Sequence, residues 1–148
     1  MLYRSANLND SDQLISLWEK AGLSYGQEQD RREIKTRLES NDDLFVVGVD
    51  DAGNIRCSVM GCYDNHRGWV KRFAVDPAIA RTGQGKALFG ELEQRFLAAG
   101  ITKLRLAVWG DNHAGAAFWE AQGFADFEGV RYMGKEITAA RGPSSEAN

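Results

Sequence analysis

The segment at residues 73–88, FAVDPAIARTGQGKAL, constrains the fold of this chain more than any other stretch. It opens with apolar residues typical of a buried strand, and Pro77 ends that strand because its nitrogen cannot donate a ladder hydrogen bond. A glycine-bearing loop follows, and from about Gln84 the apolar residues recur at helical spacing until Gly100. Strand, loop and helix in this order predict a crossover to a parallel strand, for which KLRLAV at residues 103–108 is suited.

The first half of the chain predicts a different kind of connection. Residues 44–50 and 55–63 have the composition of strands separated by the turn sequence DAGN, and a second turn at residues 64–68 leads into the strand before the glycine loop. Short turns between successive strands indicate antiparallel pairing. We therefore predict an α/β fold, with one mixed, mostly antiparallel central sheet and helices on both of its faces.

The remaining elements are predicted from the spacing of their apolar residues. They are a first strand at Leu2–Arg4, a helix that follows capping residues 9–12, a polar helix from about residue 31 to 39 after the loop LSYGQEQD, a helix that Asp111 and Asn112 can cap, and two closing strands at residues 124–128 and 130–137. The whole is expected to be one domain over residues 1–138, followed by a polar, disordered tail at 139–148.

The composition argues against several classes of function. With a net charge of −3, the chain lacks the positive field of a nucleic-acid-binding protein. Cys57 and Cys62 are five residues apart, so on a strand they face opposite sides and are expected to stay reduced. Two histidines without close cysteines predict no metal site. No apolar run could act as a signal peptide or span a bilayer, so we expect a cytoplasmic protein without a membrane partner.

The glycine loop has the chemistry of an anion site. Gly83 and Gly85 let the backbone approach a ligand closely, and the amides of residues 81–86 are expected to point outward at the positive end of the following helix. Arg81 and Lys86 add side-chain charge, so a diphosphate is the natural ligand.

Two known phosphate loops do not fit this segment. A P-loop would have Ser or Thr where Ala87 stands, and a Rossmann fingerprint would have a third glycine where Leu88 stands. Taken alone, Gly-x-Gly is more often an ordinary turn between a strand and a helix.

Two motifs together carry a resemblance to a known family. V-D-P followed within a few residues by G-Q-G-K-A-L, and then by an amphipathic helix, resembles the coenzyme A loop of the GNAT acetyltransferase superfamily. About thirty residues later, NHAGAAFWEAQGF at residues 112–124 resembles the second signature of that superfamily. The predicted order of strands and helices matches as well, from about Leu2 to Ile137.

The resemblance implies an enzyme that moves an acetyl group from acetyl-CoA to an amine. The backbone N–H of Phe73 would stabilise the oxyanion, and Val75 would pair with the pantetheine amides. The pyrophosphate would be held by the loop, which departs from the family in having Ala80 where Gln or Arg is usual. The loop residues implied are Arg81, Thr82, Gly83, Gln84, Gly85 and Lys86.

The second motif implies two further contacts with the cofactor. Asn112 would hydrogen-bond the pantetheine arm, and it is equally suited to cap its helix. Trp119 stands where the family commonly has a tyrosine that protonates the departing thiolate, and an indole N–H cannot release a proton near neutral pH. Trp119 therefore either stacks beside the cofactor or packs in the core.

The general base is not evident from the sequence. Some family members use a glutamate on the strand before the loop, but Trp69 occupies that position. The candidates are Asp64 and His66 in the turn before that strand, and Glu28 and Asp30 in the loop after the first helix. For each of these residues, a solvated loop side chain without a chemical role is the competing interpretation. Tyr25 and Tyr132 are candidate pocket residues on similar grounds.

The leading functional interpretation is direct attack by a primary amine on acetyl-CoA. An acyl-cysteine route is a poor second, because Cys57 and Cys62 lie on a hairpin strand rather than in an activating setting. A non-catalytic acyl-CoA sensor is the alternative from another class, and a scaffold domain that no longer binds CoA is a third option. The fold accepts both small-molecule and protein amines, so the acceptor stays open, and a homodimer is compatible with the family.

Overall fold

The structure, a computed structural model, describes residues 1–40 and 43–137. It contains a compact unit over Met1–Ala107 and a second unit that begins at Val108. The first unit holds a sheet of five strands in the order β1-β2-β3-β4-β5, with β1 to β4 antiparallel and β5 parallel to β4. The predicted mixed, mostly antiparallel sheet is therefore confirmed.

The elements of the first unit largely follow the prediction. The strands are β1 (Leu2–Ser5), β2 (Phe45–Val49), β3 (Ile55–Tyr63), β4 (Gly68–Val75) and β5 (Leu104–Arg105). The α-helices are α1 (Ser11–Lys20), α2 (Gln27–Glu39) and α3 (Gln84–Ala98), and single 3-10 turns lie at Leu8–Asp10 and Pro77–Ile79. Strand β5 is shorter than the six residues predicted.

Helices cover both faces of the sheet. On one face, the buried indole of Trp18 on α1 donates a hydrogen bond from Nε1 to the Ser58 hydroxyl, 3.1 Å away. Gly61 lies three residues further along β3 and therefore faces the other side. A Cβ at Gly61 would lie 2.8 Å from the ring of Phe96, and one at Gly68 would lie 2.7 Å from it. Glycine at these two positions lets α3 approach the sheet closely.

Helix α2 begins four residues earlier than predicted. Its start at Gln27 follows Gly26, whose φ of 105° suits glycine, and the fully buried carboxylate of Asp30 fixes the preceding loop. Asp30 accepts hydrogen bonds from the Ser24 hydroxyl at 2.6 Å and the Tyr25 N–H at 3.1 Å. The polar sequence QEQD has no apolar periodicity, so its helical state was not visible in the sequence, although acidic residues suit the first turn of a helix.

The second unit contains α4 (His113–Ala121). Gly123 follows it with a φ of 100°, as expected for the left-handed residue after a helix. The two closing strands predicted at residues 124–128 and 130–137 are wrong, because the structure has no strand between residues 108 and 137. Phe127, Val130 and Tyr132 are exposed there. Alternating apolar residues are therefore not enough by themselves to form a strand.

Three further expectations concern the chain as a whole. Cys57 is buried, Cys62 is partly buried, and both are free thiols, as predicted. Within the described residues, no helix is both long and apolar enough to cross a bilayer. The tail at residues 139–148 lies outside the described residues, and the single-domain boundary at residue 138 stays a prediction.

Candidate active site

The loop between β4 and α3 has the predicted geometry for an anion. Asp76 caps the 3-10 turn by accepting a hydrogen bond from the Ala78 N–H at 2.9 Å. Arg81 and Gly83 then adopt left-handed φ angles of 64° and 86°, and Gly83 is the N-cap of α3. Gly83 has no side chain to cap the first N–H groups of α3, which remain available for a ligand at the positive end of the helix. A diphosphate fits this donor set.

One loop side chain is held from across the sheet. The hydroxyl of Tyr3 on β1 donates a hydrogen bond of 2.7 Å to Oε1 of Gln84, the first residue of α3. Tyr3 reaches it over Gly48, where a Cβ would lie 3.0 Å from the Tyr3 ring. The sequence assigned Gln84 to the loop but did not reveal this partner, which is 81 residues away.

Strand β4 is distorted immediately before the loop. On β3, Ser58 pairs with Ala74 of β4, and Met60 pairs with Lys71. Two residues of β4, Arg72 and Phe73, therefore lie opposite the one residue of β3 between Ser58 and Met60. This is a β-bulge, and its first residue, Arg72, has a left-handed φ of 52°. The bulge includes the residue whose backbone N–H was predicted to stabilise the oxyanion.

The side chain of Arg72 is buried among groups from α1, α2 and the loop between them. Its guanidinium lies 4.2 Å from the ring centroid of Trp18 and 4.5 Å from that of Tyr25. Nη2 is 2.5 Å from Oε1 of Glu33 and 3.2 Å from Oδ1 of Asp30, and Nη1 donates to the Leu23 carbonyl. Burial opposes the charge, but the hydrogen bonds and charges of the two carboxylates outweigh it and raise the pKa of Arg72.

Asp64 is less suited to act as a base than its position suggested. Oδ1 accepts hydrogen bonds from the N–H groups of His66 and Arg67, at 3.0 and 2.8 Å, and Oδ2 accepts one from the Trp69 indole at 3.1 Å. The backbone N–H of Arg67 and the indole favour the ionised form and lower the pKa of Asp64 to about 2. A carboxylate with so low a pKa binds a proton weakly.

The second candidate base, Glu28, lies in the first turn of α2 rather than in a loop. Its carboxylate pairs with Arg32 one turn later at 3.1 Å, and its side chain is 92% exposed. Asp30, which shared that predicted loop, is enclosed by Ser24, Tyr25 and Arg72 and therefore anchors the start of the helix.

The acyl-cysteine route is disfavoured by the environment of Cys57. Burial raises the pKa of this thiol to about 11, so the nucleophilic thiolate is scarce near neutral pH. Among the described residues, no group of three or more histidine, cysteine or acidic side chains could hold a metal ion.

The two cofactor residues predicted from the second motif lie in the second unit. Asn112 caps α4 by accepting a hydrogen bond from the Gly115 N–H at 2.9 Å, so one of its two interpretations is confirmed. Trp119 packs edge-to-face against Phe118 and Phe124, with centroid distances of 4.8 and 5.4 Å. Contacts of either residue with a cofactor stay predictions.

Comparison with known proteins identifies the family. A sequence model described as the acetyltransferase (GNAT) family matches residues 11–124, which include both motifs. The chain belongs to the GNAT acetyltransferase family. An acetyltransferase of Sodalis glossinidius is 33% identical to this GNAT protein over 129 residues, covering 87% of this chain and 90% of the relative. An acetyltransferase of Pectobacterium atrosepticum is 35% identical over 112 residues, covering 76% and 79%.

Solved structures show the same fold at lower identity. The aminoglycoside 6′-N-acetyltransferase AAC(6′)-Ig of Acinetobacter haemolyticus aligns with a TM-score of 0.78 and 20% identity, over 93% of this GNAT protein and all of that chain. The PaiA N-acetyltransferase of Thermoplasma acidophilum, solved with coenzyme A, aligns with a TM-score of 0.72 and 23% identity, over 84% and 89%. These likenesses confirm the predicted acyltransferase fold.

Sequence reasoning missed the residues around the bulge. Arg72 and Glu33 were not singled out because charged residues in their settings usually face solvent. Arg72 follows Lys71 in a strand, and Glu33 lies in a polar helix. A charged residue directly before the predicted oxyanion donor was the one available signal.

Proposed function

We propose that this GNAT protein transfers the acetyl group of acetyl-CoA to a primary amine by direct attack. The observation that carries the proposal is the N-terminus of α3, with Gly83 as a left-handed cap, which a short loop joins to the bulged strand β4. This arrangement supports a site where loop amides hold the diphosphate while backbone groups of β4 lie beside the thioester arm. Acetyl-CoA supplies the activated acyl group.

The residues of the chain have separate roles in this proposal. Amides from Arg81 to Lys86 bind the diphosphate, and Val75 pairs with the pantetheine arm. The N–H of Phe73 donates to the carbonyl oxygen as the neutral amine attacks, and loss of such a donor typically lowers the rate by about 10²- to 10³-fold. The thiolate is a fair leaving group because its pKa is about 8.5, which lessens the need for the tyrosine replaced by Trp119.

The amine must lose a proton before it attacks, because an aliphatic amine with a pKa of about 10 is almost fully protonated at pH 7. Glu28 is the better of the two candidate bases, since the low pKa of Asp64 weakens its basicity. The relatives are named as acetyltransferases, which favours catalysis over the acyl-CoA sensor. The acceptor amine, a contact of Asn112 or Trp119 with the cofactor, a homodimer and a cytoplasmic location stay predictions.

The proposal is tested by titrating the ¹⁵N-labelled protein with CoA and assaying acetyl-CoA turnover with a panel of small and peptide amines. We expect the amide resonances of Thr82 to Lys86 to shift and at least one amine to release CoA. Binding without turnover on any amine would favour the sensor, and unmoved loop resonances would contradict the proposed site.

A pair of glycine variants gives a matched control. Gly83→Ala forces a side chain into a left-handed conformation within the loop, and Gly53→Ala does the same in the β2–β3 turn, where φ is 84°. Both positions have open space for a Cβ, so the steric cost is similar. We expect Gly83→Ala to weaken CoA binding about tenfold or more, and Gly53→Ala to leave the affinity unchanged.

A further inference from the structure

The peptide unit that contains the Phe73 N–H begins at Arg72. Because a peptide bond is planar, the carbonyl of Arg72 and the N–H of Phe73 turn together when the backbone angles of Arg72 change. The direction of the predicted oxyanion donor is therefore set by a residue at a φ of 52°, in a region that residues with a Cβ seldom adopt. Something outside the backbone must keep Arg72 there.

The side chain of Arg72 provides that constraint. The Arg72 side chain is 8% exposed, and its guanidinium lies against the aromatic rings of Trp18 and Tyr25. Its donors reach the Glu33 carboxylate through Nε at 3.1 Å and Nη2 at 2.5 Å, and the Asp30 carboxylate at 3.2 Å.

These partners all come from one stretch of chain, residues 18–33, which packs on one face of the sheet. Asp30 is itself fixed by the hydroxyl of Ser24 and the N–H of Tyr25, so the carboxylate cannot follow if the guanidinium moves. Contacts of this kind require an arginine, because its planar guanidinium donates two hydrogen bonds side by side and stacks on aromatic rings. A lysine ammonium does neither.

We infer that Arg72 is a positioning residue whose guanidinium, locked between Glu33, Asp30 and two aromatic rings, holds the β4 bulge so that the Phe73 N–H faces the thioester carbonyl. This inference rests on the proposed function, since it assigns a control element to the same donor. It also gives α2 a part in the chemistry: Glu33 acts through Arg72 rather than on the substrate.

The test uses the amide resonance of Phe73 in the ¹⁵N-labelled full chain. CoA is compared with an acetyl-CoA analogue in which a methylene group separates the sulfur from the carbonyl, so that acyl transfer cannot occur. In the wild type, we expect the analogue to move the Phe73 amide proton downfield relative to CoA, because only the analogue offers a carbonyl oxygen.

Three variants remove the contacts of the Arg72 guanidinium in different ways. Arg72→Lys keeps a charge without the planar, forked guanidinium. Arg72→Gly permits the left-handed backbone but lacks the side chain that holds it there, and Glu33→Gln keeps the shape of the partner without its charge. We expect at least half of the carbonyl-dependent shift of Phe73 to be lost in each folded variant, with the CoA-induced shifts of Thr82 to Lys86 retained. For an amine that the wild type acetylates, kcat should fall about tenfold while KM for acetyl-CoA changes less than twofold, since a misdirected donor affects the transition state most.

Arg4→Lys serves as the matched control. Arg4 on β1 also binds one carboxylate through two nitrogens, at 2.7 and 2.9 Å from the Asp10 oxygens, but it is not part of β4. We expect it to leave the Phe73 shift and kcat unchanged.

The outcomes separate the inference from the function on which it rests. Unmoved loop resonances in the wild type overturn both. Loop resonances that move while Phe73 does not distinguish the analogue from CoA leave the CoA site intact and overturn the role of Phe73 and of Arg72. A full carbonyl-dependent shift and unchanged kcat in Arg72→Lys and Glu33→Gln overturn the positioning role alone.

Discussion

At the scale of single residues, hydrogen bonds decide which acidic side chains suit proton transfer. Asp64 accepts hydrogen bonds from two backbone N–H groups and one indole, and these lower its pKa to about 2 although it lies in a surface turn. A turn residue can therefore be less basic than its exposure suggests, because each donor stabilises the ionised carboxylate more than the protonated acid.

The pH dependence of stability should reveal this environment. A folded-state pKa of about 2, below the unfolded value of about 3.9, means that the stabilising contribution of Asp64 is present above about pH 4 and is lost as the pH falls through about 2. We expect Asp64→Asn to lower Tm by a constant amount between pH 5 and 7, and the difference from wild type to narrow between pH 4 and 2. Scanning calorimetry measures both. If Asp64 is instead the general base, Asp64→Asn abolishes turnover while CoA still binds.

At the scale of elements, α2 owes its start to tertiary contacts rather than to its own sequence. Asp30 is completely buried in the first turn of the helix and pairs with Arg72, 42 residues later. A buried carboxylate is tolerated because its partners satisfy it, so it couples the beginning of α2 to the bulge in β4.

Asp30→Asn tests this coupling. The substitution keeps the shape but leaves the buried guanidinium with one carboxylate fewer, and removing one member of a buried ion pair typically costs about 3 kcal/mol or more. We expect urea denaturation to show a loss of about 3 kcal/mol in the free energy of unfolding.

A second aspartate–arginine pair on α1 and α2 serves as the control. Asp12 accepts a hydrogen bond of 2.8 Å from Arg31, but the two side chains are 87% and 52% exposed. Solvent screens this pair, so Asp12→Asn should change the free energy of unfolding by no more than about 0.5 kcal/mol. Equal losses in the two variants would show that the Asp30 pair contributes no more than a surface ion pair.

At the scale of the whole molecule, the glycine loop before α3, the bulge and the Arg72 contacts all belong to the first unit, Met1–Ala107. A ligand that binds only the folded state stabilises it by mass action, whatever contacts it makes. Ligand binding is therefore measurable as thermal stability before any acceptor amine is known.

We expect CoA at 100 times its Kd to add about 2.7 kcal/mol to the free energy of unfolding. For a chain of this length, that corresponds to a rise in Tm of roughly 5–10 °C. Pantetheine, which lacks the diphosphate, should give a much smaller shift at the same concentration in a thermal denaturation assay. Equal shifts from both compounds would show that the loop amides do not bind the diphosphate.

Much of the fold could be predicted because the signals are local. Pro77 after an apolar strand, Gly83 before a helical run and the DAGN turn each restrict a few neighbouring backbone angles, and together they imply hairpins followed by one crossover. The segment at residues 124–137 shows the limit, since its strand-like pattern forms no strand within the part of the chain that the structure describes.

The features of the site likewise divide into those that local sequence determines and those that depend on the tertiary structure. The sequence by itself determined the glycine loop and the helix that opens after it, because glycine conformations and helix ends depend on adjacent residues. Only the tertiary structure decided that Arg72 lies between Trp18 and Tyr25, that Tyr3 holds Gln84, and that Asp64 is a weak base. The Arg72 and Tyr3 contacts join residues dozens of positions apart, and the pKa of Asp64 depends on how its turn directs hydrogen-bond donors, which the sequence pattern does not encode.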